Sequence, residues 1–336
     1  MAQDSSAGKV SVEGLVPKLA TRLSETPEAT GLLILLLAVC IFAYLSPAFL
    51  SAQNAHNMLL ILPELGLVTL GLAILIITGE FDLSVGSVFA LTPMITIIAV
   101  SAQLPFALSV ILGLMAACAV GLFNGWITIR YQIPSFITTL GTMFAVRSLT
   151  VIASGGFPPP FPDNMPTFLF VADLGAFRAS MIWFVAIGVL AAVILRRTNI
   201  GNWIYATGGQ IQAAKDMGIP VNSVRIGCFI FCSLLAGFAG LIQTLRIESP
   251  LPSAGDGIEL QAIAAAVIGG VALTGGVGTV LGALIGTLLI RIIDNGLVMS
   301  RIDANWFKFA LGSLTIVSVI VNGFVQRQAF LMRRRK

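Results

Sequence analysis

Residues 57–78 read N-M-L-L-I-L-P-E-L-G-L-V-T-L-G-L-A-I-L-I-I-T, a run interrupted by one charge, Glu64, beside Pro63. A helix needs roughly 20 apolar residues to cross the hydrocarbon of a bilayer, so this stretch predicts a membrane span. Similar runs flank it on both sides. The expected spans are 30–46, 57–78, 83–101, 105–129, 134–153, 179–195, 224–245, 259–274, 276–293 and 304–322. Gly269, Gly270, Gly275 and Gly276 equally suit a broken or re-entrant helix within 259–293. The expected fold class is all-α, a polytopic membrane protein of about ten transmembrane helices.

Composition agrees. Only 10% of the 336 residues are charged and 57% are hydrophobic, with mean hydropathy +0.97. A soluble domain carries roughly 25% charged residues, so a soluble fold is excluded, and disorder needs the opposite balance. Cys40, Cys118, Cys228 and Cys232 all lie in apolar runs, and His56 is the lone histidine. Small buried thiols are expected there, not a metal site.

Thirteen of the 19 lysines and arginines fall on one side of this layout, which places both termini in the cytoplasm. The expected organisation is a cytoplasmic tail over 1–28, a transmembrane domain over 29–323 and a basic cytoplasmic tail over 324–336. The leader is polar, with a short amphipathic turn near 16–23, and no apolar core for a cleaved signal begins close to Met1. An external loop over 154–178 carries Pro158, Pro159, Pro160, Pro162 and Pro166 and resists helix. A cytoplasmic loop over 196–223 is the longest inner connection. Within it, Gln210 to Met217 has good helix formers with Gly218 and Pro220 beyond, which predicts a helix of about two turns. So short a helix is marginal alone. It is either a connector lying on the protein or a docking element for a cytoplasmic partner, with Ala213 and Ala214 permitting close approach.

Four stretches carry a family resemblance. Residues 77–89 read I-T-G-E-F-D-L-S-V-G-S-V-F and residues 133–147 read I-P-S-F-I-T-T-L-G-T-M-F-A-V-R. The loop contains Ala206-Thr207-Gly208-Gly209-Gln210, then Ala213-Ala214-Lys215 and Gly218-Ile219. Residues 254–282 read A-G-D-G-I-E-L-Q-A-I-A-A-A-V-I-G-G-V-A-L-T-G-G-V-G-T-V-L-G. Together, from about residue 57 to 322, these resemble bacterial ABC-importer permeases for monosaccharides of the ribose, xylose and arabinose type. Glu80-Phe81 departs from the family's usual Gly-Ile, and Lys215-Asp216-Met217 from its Arg-x-Ser.

The resemblance implies a transport subunit of the bacterial inner membrane that moves a monosaccharide or related polyol. Its implied partners are a second permease chain, a cytoplasmic ATPase holding ATP and Mg, and an external sugar-binding protein, with no nucleic acid. Coupling to the ATPase is implied for Tyr205, Ala206, Thr207, Gly208, Gly209, Gln210, Ala213, Ala214 and Gly218. The chain contains no G-x-x-x-x-G-K-[ST] phosphate loop, so it is expected to be no enzyme and to hold no cofactor, metal or catalytic residue. The alternatives are a permease for branched-chain amino acids or another small polar solute, and an ATP-independent secondary transporter.

Individual residues carry further expectations. Asp82, with Ser84, is placed to cap a helix start, or else to act in a cytoplasmic gate. Asn124, Ser135, Thr138, Thr142 and Asn295 offer neutral donors and acceptors that suit a hydroxyl-rich solute, although Ser and Thr also bond their own helix backbone. Glu64 and Arg147 are costly against lipid and must face protein or water, paired with each other or with separate partners. Arg291 and Asp294 are expected to form a solvated helix pair. Gly278, Gly282 and Gly286 repeat every four residues, which favours close helix packing. Val85-Gly86-Ser87-Val88 and Val277-Gly278-Thr279-Val280 hint at an internal repeat.

Overall fold

The computed structural model describes residues 27–162, 165–175, 177–303 and 305–333. The predicted turn near 16–23, most of the leader and the terminal Arg334, Arg335 and Lys336 lie outside them. Among the described residues the regular elements are helices, apart from a lone bridge between Asp173 and Arg178.

Helix α1 spans Pro27–Leu45, α2 Ala52–Ile77, α3 Val85–Ser101, α4 Phe106–Tyr131 and α5 Ser135–Ser154. After the proline-rich stretch, which holds only the turn Phe168–Val171, α6 spans Ala179–Arg197. Then come α7 Asn199–Gly209, α8 Ile211–Asp216, α9 Val221–Ile247, α10 Ile258–Ile268, α11 Val280–Met299 and α12 Asn305–Arg333. Six of these (α2, α4, α5, α6, α9 and α11) are long and apolar enough to cross a membrane. The other four predicted spans coincide with shorter apolar helices: Gly31–Leu45 of α1, Val85–Ser101, Ile258–Ile268 and Asn305–Ile320 of α12.

Helix α2 is the axis of the bundle. Ser51 Oγ accepts the Asn54 N–H at its start, and every residue from Leu62 to Ile77 is buried, Pro63 included. A helix apolar on all sides is stable only when surrounded, and α9, α11 and α10 surround this one.

Two expectations are corrected here. The span expected over 259–274 is a helix of only 11 residues ending at Ile268, about 16 Å long at 1.5 Å per residue. Gly270, Gly275 and Gly276 take positive φ and turn the chain into α11, which starts at Val280 rather than 276. In the loop over 196–223 the predicted short helix is present as α8, and a second helix that was not expected, α7, precedes it. Thr198 Oγ1 caps α7 by accepting the Gly201 N–H. The spacing of Gly278, Gly282 and Gly286 does mark close packing: a Cβ at 282 would overlap Gly269 O, and one at 286 would overlap Ala265 O.

Candidate functional site

One end of the bundle is a seam built around α7. Gly276 N–H donates to Ile77 O over 2.8 Å, and a Cβ on Gly208 would overlap that same carbonyl. Tyr205 Oη donates to Gly278 O over 2.7 Å. Burial raises the Tyr205 phenol pKa, which keeps the donor protonated. Arg225 of α9 pairs with Glu80 just after α2, and Thr279 Oγ1 donates to Glu28 of α1 over 2.6 Å. A cavity of about 660 Å³ opens beside this seam, lined by Glu80, Arg225, Lys215, Asn222 and Ser135 among others.

Helices α7 and α8 divide the predicted coupling residues into two sets. Thr207 and Ala214 are buried, while Tyr205, Ala206 and Gly208 are half-buried against the body. Gly209, Gln210, Ala213 and Gly218 are exposed. Ala213 and the exposed Met217 stand four residues apart and share a face. Ala214 therefore seats α8 on its own chain and Ala213 alone faces outward. Gly218, at φ +80, closes α8 with Gly218 N–H to Lys215 O and Ile219 N–H to Ala214 O, a left-handed helix end that favours glycine.

From this seam, residues 78–84 climb along α5. Phe81 N–H donates to Ser135 Oγ and Leu83 N–H to Thr139 Oγ1, and Ser87 Oγ donates to Met143 O. Irregular backbone at membrane depth is tolerated only where its polar groups find partners in protein or water, and α5 supplies those partners. At the top of the climb Arg147 donates to Gly86 O over 2.9 Å and to Pro252 O and Ala254 O over 2.8 Å each. Its Nη2 also pairs with Asp256 at 2.7 Å. Helices α3 and α10 thus begin side by side, with Gly86 against Gly255 and Glu259. They run to opposite ends of the bundle, α10 reaching the seam through Gly269 and Gly282.

Asp82 lies in the climbing segment, fully buried. Its Oδ1 accepts the Ser84 N–H at 2.8 Å and Ser84 Oγ at 2.6 Å. Asn124 Nδ2 and Ser233 Oγ of α4 and α9 also donate to it. It receives the N–H of the residue before α3, not those of the first helical turn, and Ser84 makes no side-chain cap bond. Asp82 therefore does more than bond the helix start: it joins three elements. Asp82→Ala strands these donors at a cost of about 1–3 kcal/mol each. It is expected to lower the melting temperature of the purified chain markedly, with Asp82→Asn falling between; an unchanged melting temperature in Asp82→Ala would show that the joint carries nothing.

Three of the predicted path residues, Asn124, Ser135 and Asn295, are also joints, whereas Thr138 and Thr142 are not. Asn124 bonds Asp82 and Ser84, Ser135 bonds Phe81, Thr142 donates to Thr138 O, and Asn295 exchanges bonds with Asn54. All but Asn295 are buried within the chain, and Thr138 Oγ1 has no partner. Glu64 and Arg147 do not pair with each other: Glu64 binds Arg246 at 2.6 Å and Gln243 at 3.1 Å. Arg291 and Asp294 meet at 3.6 Å, but Arg291 is mostly buried, so the pair is not fully solvated. The two Val-Gly motifs sit at different levels, one opening α3 beside Arg147, the other at the seam before α11.

A family profile described as "Branched-chain amino acid transport system / permease component" matches residues 54–319. The ribose import permease protein RbsC of Escherichia coli K12 is 33% identical, over 88% of this chain and 93% of that protein. The xylose/arabinose import permease protein XylH of Sulfolobus acidocaldarius is 31% identical, over 87% and 83%. The autoinducer 2 import system permease protein LsrC of Photorhabdus laumondii is 30% identical, over 90% of each. No solved structure matches the chain.

Proposed function

Since the chain belongs to the family of branched-chain amino acid transport system permease components, we propose that it is the membrane subunit of an ATP-driven importer for a monosaccharide or related polyol. Relatives named for ribose, for xylose and arabinose and for autoinducer 2 support the solute class. A separate ATPase is part of the proposal, because the sequence holds no phosphate loop. So are a second permease chain, an external binding protein, about ten membrane-embedded helices and both termini in the cytoplasm, the last supported by the lysine and arginine bias.

The observation that carries the reading is the two-sided handle. Its inner face is seated on the end of α2 and the turn before α11 through Gly208 and Tyr205, and Ala214 is buried where α8 packs between α7 and α9. Its outer face presents Gly209, Gln210, Ala213 and Met217, all exposed among the described residues. A partner that pushes α8 bears on the seam at the fixed end of α2 and passes the displacement to Glu80 and the climbing segment, which α5 carries. ATP binding and hydrolysis in the partner then drive the path between its two orientations by differential affinity for them.

The test separates handle from scaffold. Gly209 has open space around its Cβ position and Ala213 is exposed, so Gly209→Val and Ala213→Trp are expected to leave a folded chain. Reconstituted with its ATPase and binding protein, each is expected to lose ATP-dependent sugar uptake at least tenfold. Normal coupled uptake by both would refute the docking assignment. Uptake by the chain alone without ATP would favour a secondary transporter.

A further inference from the structure

Arg147 sits more than three turns above Ser135 along α5, about 18 Å at 1.5 Å per residue, in a hydrocarbon layer about 30 Å thick. Its partner Asp256 has a side chain 67% exposed, against 19% for Arg147. Glu259, in the first turn of α10, is half-buried beside them. A carboxylate this open at such depth is not stable against lipid tails. The flank of the chain that carries it faces water or another protein.

The bonding pattern then selects the ligand. Four of the five N–H groups of Arg147 are used, Nη1 on two carbonyls and Nη2 on Gly86 O and Asp256, and the two carboxylates beside it outweigh its single charge. No free cation remains to receive a solute carboxylate. The carboxylates are different, because the guanidinium holds only one oxygen of Asp256. Carboxylate oxygens accept O–H donors and a sugar is dense in them. Phe144, one turn below Arg147 and largely exposed, adds an apolar surface for the C–H face of a ring.

We infer that Arg147, Asp256 and Glu259 form a binding station for the hydroxyls of a neutral polyol, midway along the solute path. The inference deepens the importer reading above and rests on it. Arg147 acts as a positioning residue, holding the 252–256 turn and Asp256 in place, and the carboxylates make the contact. An amino acid fits this station poorly for want of a free cation.

The test uses the assembled importer in proteoliposomes, with Cys40 and Cys118 replaced by Ala. Ser253→Cys places a thiol at an exposed position of the same turn and keeps all three charges. It is expected to react with a charged, membrane-impermeant methanethiosulfonate at least tenfold faster than Leu190→Cys, an exposed apolar position on α6. Saturating ribose, xylose or arabinose is expected to slow that reaction severalfold, leucine is not, and adding Asp256→Asn is expected to abolish the sugar protection. Reaction no faster than Leu190→Cys would remove the station from any aqueous path. Fast reaction with no sugar protection, protection by leucine instead, or protection that survives Asp256→Asn would each overturn it as a polyol site. Failure of the importer reading is separate: it shows as no ATP-dependent uptake of any of these sugars by the unmutated assembly, whatever the labelling gives.

Discussion

Gly208→Leu is expected to yield almost no monodisperse chain, at least tenfold less than the parent by fluorescence-detected size exclusion. The new Cβ would occupy the position of Ile77 O and crowd Gly276 N at 2.6 Å, so the backbone bond between those two residues must break or α7 must lift away. Overpacking a core costs about 1–3 kcal/mol and occasionally more, and the lost bond strands a buried donor and acceptor in addition. Backbone cannot yield as a flexible side-chain tip can. Gly209→Leu, one residue on, meets open space and is expected to give parental yield. Equal yields of the two variants would mean that the seam does not hold α7. The contrast separates adjacent glycines that look alike in sequence, one a seat and the other a contact surface.

Arg246→Ala is expected to destabilise the purified chain by about 3–5 kcal/mol, the usual cost of removing one partner from a buried ion pair. Glu64 is 2% exposed, and the guanidinium Nε at 2.6 Å is its principal compensation. Gln243 at 3.1 Å remains and Arg291 lies within electrostatic reach, but neither replaces the direct ionic bond to the buried carboxylate. Replacing both members, Glu64→Leu with Arg246→Met, is expected to recover most of the loss, because the desolvation penalty disappears along with the pair. Thermal unfolding in detergent reads all three. A double variant no more stable than Arg246→Ala would show that shape rather than charge fixes this junction of α2 and α9.

Helix positions were legible because long apolar runs are a strong signal in a chain with so few charges. The failures have local causes. Residues 199–209 contain Gly201, Gly208 and Gly209, poor helix formers, so α7 read as loop; what holds it helical is seating against the bundle, which propensity does not record. The one available sign was Thr198, a capping residue type at its start. Helix α10 read as a full span because residues 259–274 stay apolar, although the chain turns at Gly270. The path residues were chosen by side-chain chemistry alone. Neutral hydroxyls and amides suit a sugar, but they equally suit backbone carbonyls and N–H groups: Ser135 takes the Phe81 N–H of the irregular segment, and Thr142 bonds the Thr138 carbonyl of its own helix. Asp256 and Glu259 were passed over inside a block read for its glycines. Two acids three apart beside an unpaired span arginine were the signal for them.

The enclosure of α2 has a mechanical corollary. From Leu62 to Ile77 it has no flank free to slide, so any alternation of the conduit must treat it as the stator. Displacement belongs to elements with an open side, α5 and α4 above all. A spectroscopic label on α2 and another on α9 should then keep a constant separation through the nucleotide cycle, while one on α5 swings relative to both.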